Sequence, residues 1–119
     1  MRHSPISASH LNKRQRSRIS ERELARKVGG RVQPASGALP VAALKGDVIS
    51  DRFLFDDKTT LAKSFSVVED VLVKLEGDAF RARRLAALRV HFEKTGRSFF
   101  VISEQTFNRI SNELSESGS

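Results

Sequence analysis

Apolar and polar positions change their period several times along the chain, and each change predicts an element. Ser20-Glu21-Arg22-Glu23 has the form of an S-x-x-E capping box, Leu24, Ala25 and Val28 follow at helical spacing, and Gly29-Gly30 supplies a stop. This pattern predicts a short first helix. Arg31-Val32-Gln33 reads as a brief strand before Pro34, and Ser36-Gly37-Ala38-Leu39-Pro40 as a loop whose glycine permits close backbone approach. Val48-Ile49-Ser50 and Arg52-Phe53-Leu54-Phe55-Asp56 are rich in β-formers and flank Asp51, which predicts a hairpin. A second capping-box pattern, Ser66-Val67-Val68-Glu69, opens a long stretch in which Val68, Val71, Leu72 and Leu75 fall at helical spacing. Past Gly77, the residues Ala79, Ala82, Leu85, Ala86, Leu88 and Phe92 continue that spacing to Gly96, which predicts one kinked helix or two abutting ones. Phe99-Phe100-Val101-Ile102 is a continuous apolar run that fits a strand buried on both faces, and a final helix is expected from Ser103 to Leu114. The order of elements predicts an α/β fold, a small mixed β-sheet flanked by helices.

Charge adds an asymmetry to this picture. Residues 1–46 carry ten Lys/Arg against two acids, whereas residues 47–119 carry eleven against twelve. The expected organisation is therefore a basic, flexible N-terminal arm over 1–19 that turns helical toward its end, a folded domain over 20–114 and a disordered tail over 115–119. Lys13, Arg14, Arg16 and Arg18 suit contacts to DNA phosphates, because each cation placed on a phosphate releases a counterion; the same composition also describes a solvated tail. Arg81, Arg83, Arg84 and Arg89 read either as an extension of a DNA-binding face or as a solvated helix surface. The absence of cysteine removes disulfides, thiolate nucleophiles and Cys-based zinc sites, and three scattered His make no imidazole cluster. No apolar run approaches the length of a membrane span or a secretory signal, so a cytoplasmic location without membrane contact is expected.

The chemistry concentrates between Gly46 and Thr60. On a strand, Leu54, Asp56 and Lys58 share one face and Phe53, Phe55 and Asp57 the other. If the preceding hairpin strand delivers Asp47 beside them, two carboxylates and an ammonium converge, a set able to hold Mg²⁺ and to orient a water at a phosphodiester. Lys45, beside the Gly46-Asp47 loop, is a candidate phosphate contact. The alternative is that Asp47 and Asp51 are turn residues and Asp56-Asp57-Lys58 a solvated strand end.

In order, Glu21-Arg22-Glu23-Leu24-Ala25, Gly29-Gly30-Arg31-Val32, Ser36-Gly37-Ala38, Lys45-Gly46-Asp47-Val48 and Phe53-Leu54-Phe55-Asp56-Asp57-Lys58-Thr59-Thr60 resemble the PD-(D/E)xK nuclease superfamily. Within it, the nearest likeness is to archaeal- and phage-type Holliday junction resolvases and small phage endonucleases. The resemblance implies a restriction-endonuclease-like core, with Glu21, Asp47 and Asp56 as metal-binding carboxylates, Lys58 as the catalytic lysine and Ser36 as a loop serine near the scissile phosphate. It further implies a homodimeric endonuclease acting on branched DNA with Mg²⁺, for which Mn²⁺ would substitute. The alternative function is a non-catalytic DNA-binding or architectural protein on a degenerate nuclease fold. Two positions depart from the pattern: Asp56 stands where Glu is usual, and Asp57 where a small or apolar residue faces the core. An unpaired buried Asp57 would be costly, which implies a frayed strand end or a shifted register.

Overall fold

The computed structural model describes residues 11–33 and 47–118. Residues 1–10 of the expected arm, the loop serine Ser36 and Lys45 lie outside them. The first helix, α1 (Lys13–Val28), is followed by β1 (Arg31–Val32), β2 (Val48–Ile49), β3 (Phe53–Thr60), α2 (Glu69–Arg81), β4 (Leu85–Phe92), β5 (Arg97–Val101) and α3 (Glu104–Gly118). The strands form one sheet in the order β1-β2-β3-β4-β5, in which β3 and β4 are parallel and the other neighbours antiparallel. A small mixed sheet flanked by helices is thus the architecture. No helix among the described residues is long and apolar enough to cross a membrane.

Strand alternation divides the core into two layers. On one side Val48, Phe55 and Ala87 pack with Leu24 and Ala25 of α1; on the other Ile49, Leu54, Ala86, Leu88 and Val90 pack with Leu75 and Ala79 of α2. The hairpin expected around Asp51 is present, with Val48 opposite Phe55 and Ile49 opposite Leu54. Gly29 ends α1 as the glycine pair predicts, in a left-handed conformation at φ 68°. Gly30 then passes so close to the sheet that a Cβ would lie 2.3 Å from the Ile49 carbonyl oxygen, so no larger residue fits there.

Several expectations are corrected. The helix does not begin at Ser20: Asn12 and Gln15 form a reciprocal capping box and α1 runs from Lys13, so residues 13–19 of the expected arm are helical and Ser20 is buried inside the helix. The Arg- and Lys-rich stretch has good helix propensity, and an earlier cap takes precedence over the later pattern. Ser66 caps nothing, since α2 starts after Val68 without a side-chain cap; Glu69 and Asp70 complement its positive end instead. The long helical region stops at Arg81. Residues 85–92 are β4, a central strand between β3 and β5, and its near-continuous apolar run mimics helical spacing because both faces are covered. The Phe99–Ile102 run is the reverse case: β5 is an edge strand, and Phe99 and Phe100 are exposed because the core layers of both helices centre on β3 and its neighbours. The tail expected over 115–119 is helical as far as Gly118, with Ser103 capping α3 through a 3.0 Å bond from the Thr106 N–H.

Candidate functional site

Asp47 is fixed by its backbone before its side chain acts. Its N–H donates to the Phe55 carbonyl at 2.8 Å and its carbonyl accepts from the Gln33 N–H at 2.8 Å, so it stands where β2 meets β3. Its carboxylate accepts the Asp57 N–H at 2.7 Å and is hydrogen-bonded to the Asp56 carboxyl. The strand period then aims Asp56 and Lys58 to the α2 side of β3, with the Lys58 ammonium 3.6 Å from Asp56. Asp47, Asp56 and Lys58 line one cleft of about 320 Å³ with Val71, Lys74, Leu75 and Asp78 of α2.

Burial and the bond to Asp56 push the Asp47 carboxyl up to about 8, the nearby charges of Asp56 and Glu21 act in the same direction, and the Asp57 N–H opposes them. The charged form of Asp47 is thus disfavoured at a place where a cation would offset it. Glu21 stands on α1 within electrostatic range: burial raises its pKa first, then Asp57 and Asp56, while Lys58 and Arg18 oppose the rise. Among the described residues, no three His, Cys, Asp or Glu side chains are close enough to form a metal-binding group. The oxygen donors do suit Mg²⁺, which keeps several waters and is commonly held by one or two carboxylates plus phosphate oxygens.

The other face of β3 has a different arrangement. Asp57 is neither at a frayed end nor out of register; it lies directly opposite Arg89 in the parallel ladder. The two side chains are 0% and 1% exposed and meet at 3.2 Å. Arg89 also donates to the Ser20 carbonyl at 3.3 Å, the Ser20 hydroxyl at 3.2 Å and Glu23 at 3.1 Å, tying the middle of α1 to the sheet. Burial raises the Asp57 pKa, against the lowering influence of Ser20 and Arg89. Arg89 is therefore neither a DNA-facing nor a solvated residue.

Of the arm residues, Lys13, Arg14 and Arg18 are exposed on the first half of α1. Arg16 is already engaged, 3.2 Å from Glu93 and 3.0 Å from the Leu11 carbonyl. The Arg16–Glu93 pair fixes the N-terminal half of α1 at the end of the sheet where β3 and β4 finish, the end that carries Lys58. Lys74 and Asp78 were not among the expected site residues. Asp78 is buried, 3.4 Å from Lys74 and bonded to Arg81. Its signal in the sequence is a carboxylate seven residues after Val71 and three after Leu75, on the stripe that faces the sheet. No family model, curated protein or solved structure matches this chain.

Proposed function

We propose that the chain is a metal-dependent DNA endonuclease that hydrolyses phosphodiester bonds in branched, Holliday-junction-type DNA, using Mg²⁺ or in its place Mn²⁺. The observation that carries this reading is the convergence of the hydrogen-bonded Asp47–Asp56 pair with Lys58 in one open cleft. A bound Mg²⁺ would supply Lewis-acid polarisation of the phosphodiester and a water of lowered pKa. Asp47 and Asp56 would hold that cation, Asp47 as its carboxylate. Glu21 adds a third negative charge from α1. The Lys58 ammonium neutralises charge that develops on the phosphorus oxygens, an interaction stronger in the transition state than in the ground state. Lys13, Arg14 and Arg18, at the same end of the molecule, take neighbouring phosphates. A two-fold dimer would cut two strands symmetrically; the open edge of β5 with Phe99 and Phe100, and the exposed Phe107 and Leu114 of α3, offer apolar surface for a second copy.

The test is cleavage of a labelled four-way junction beside a linear duplex of the same arms, in Mg²⁺ or EDTA, by the wild type and Lys58→Ala. Paired cuts in the junction that require Mg²⁺ and vanish in the variant are expected. Binding by both proteins with cleavage by neither would overturn the enzyme in favour of a non-catalytic DNA-binding protein. Sedimentation of a strict monomer on the junction would remove paired cleavage.

A further inference from the structure

At the opposite end of the sheet, where β3 and β4 begin, lies a second cleft of about 790 Å³ that the candidate site does not use. It is lined by Arg52, Phe80, Arg81, Arg83, Arg84 and Arg109, with Asp51 as the acid of the lining. Arg52 and Arg109 share Glu113, and Arg81 is paired with Asp78. Arg83 has no ion pair among the described residues. Arg84 donates to the Ser50 carbonyl at 2.7 Å and the Ala82 carbonyl at 3.0 Å, contacts that fix the turn and leave its charge unneutralised. Five guanidiniums against Asp51, Asp78 and Glu113 leave an excess of positive charge. In their midst Phe80 is 83% exposed, an apolar ring held in water by the end of α2. Arg83 takes a left-handed conformation at φ 58°, the only non-glycine residue to do so among the described residues. That conformation is unfavourable for a side chain without a short polar group, and a glycine would hold it without strain.

We infer that this cleft binds nucleic acid at an unpaired base, with Phe80 as the stacking surface and Arg83 and its neighbours as phosphate contacts. A solvated aromatic ring that shares a cleft with guanidiniums matches the two parts of a single-stranded nucleotide: a flat apolar base and an anionic backbone. A base inside a continuous duplex has no free face, so the ligand is a gap, a single-stranded overhang or the centre of a branched structure. Arg52 and Lys58 are six residues apart on the β3 segment, about 20 Å at the rise of a strand, so the cleft lies well away from the candidate hydrolytic site. The inference rests on the DNA reading above only for the class of ligand, and its test contains no cleavage step.

The chain has no Trp or Tyr, so Phe80→Trp introduces a sole indole at the cleft. In EDTA, its fluorescence is expected to be quenched by a single-stranded oligonucleotide and by a gapped duplex, and far less by a blunt duplex. An abasic strand of the same length is expected to leave it nearly unquenched. Phe80→Ala should weaken single-strand binding about tenfold. Arg83→Gly, made on the Phe80→Trp background, should weaken binding and reduce the slope of log affinity against log salt by about 0.7, with a melting temperature equal to or above that of its parent. Equal quenching by the abasic strand overturns the stacking role, and an unchanged affinity and salt slope in Arg83→Gly overturns the cleft as a phosphate site. Quenching by a protein that never cuts DNA would refute the nuclease alone, and cutting without quenching would refute this inference alone.

Discussion

The two faces of β3 carry the same kinds of side chain to different ends. Toward α1, Asp57 meets Arg89 in a closed, buried contact, and Arg89 donates further hydrogen bonds to Ser20 and Glu23. Toward α2, Asp56 meets Lys58 at the mouth of a cleft, beside an Asp47 that holds a proton at neutral pH. Adjacent aspartates thus differ through their surroundings: a fully enclosed cation fixes one as structure, and a solvent-reaching cation leaves the other able to exchange its partner for a ligand. The contrast is strongest in stability. Arg89→Ala should cost about 3–5 kcal/mol, because the buried Asp57 loses its counter-charge, a large share of the stability of an ordinary domain. Chemical denaturation measures it, and a loss below about 1 kcal/mol would mean that the enclosed pair does not hold α1 to the sheet.

Lys58→Ala should do the opposite. Its ammonium is partly exposed and packs into no core layer, so unfolding should shift by no more than about 0.5 kcal/mol. Junction cleavage should fall about 10²- to 10³-fold, the usual loss on removing one electrostatic donor from a transition state. A Lys58→Ala protein that melts several kilocalories lower while cutting normally would erase the distinction between the two faces.

How much of this was legible in the sequence follows from the same physics. The hairpin, the alternation along Phe53–Thr60 and the glycine stop after Val28 rest on local patterns, and they placed Asp47, Asp56 and Lys58 together. What the sequence concealed is long-range. Asp57 looked anomalous because its partner lies thirty-two residues away, in a segment whose spacing imitates a helix. Once Leu85–Phe92 is a strand parallel to β3, Asp57 and Arg89 face each other by register alone. Asp78 needed the same step, since a carboxylate on the inner stripe of α2 has meaning only when the strand beneath it is known to carry Asp56 and Lys58.

Titration gives a third contrast, smaller than the first two. A carboxyl raised from 3.8 to about 8 binds its proton more tightly in the folded protein than in the unfolded chain. Its contribution is complete below the unfolded pKa and is lost as pH rises toward 8, with a slope of at most about 1.4 kcal/mol per pH unit. Glu21, also raised, acts in the same direction. Urea denaturation in EDTA between pH 5.5 and 8 should therefore show stability falling with pH, and Asp47→Asn should flatten the fall. Mg²⁺ competes with the proton, so its stabilising effect should grow over the same range. Equal slopes in the wild type and Asp47→Asn would mean that Asp47 is not the group that titrates over this range.

The smallest expected effect tests whether the closed face needs charge at all. In the double substitution Asp57→Val with Arg89→Leu, both buried charges disappear together, so neither is left uncompensated, and apolar side chains of similar shape extend the layer formed by Phe55 and Ala87. Glu23 keeps Lys27 at 3.8 Å and access to water, and the Ser20 hydroxyl can return to its own helix by bonding a carbonyl one turn back. Stability should stay within about 1 kcal/mol of the wild type, although Arg89→Ala alone loses several times that. Cleavage should persist, since Asp47, Asp56 and Lys58 are untouched on the other side of the strand. If the double variant instead loses cleavage while melting normally, the Asp57–Arg89 side chains reach the chemistry by positioning the stretch of β3 whose backbone N–H donates to Asp47, and the two faces act as one site.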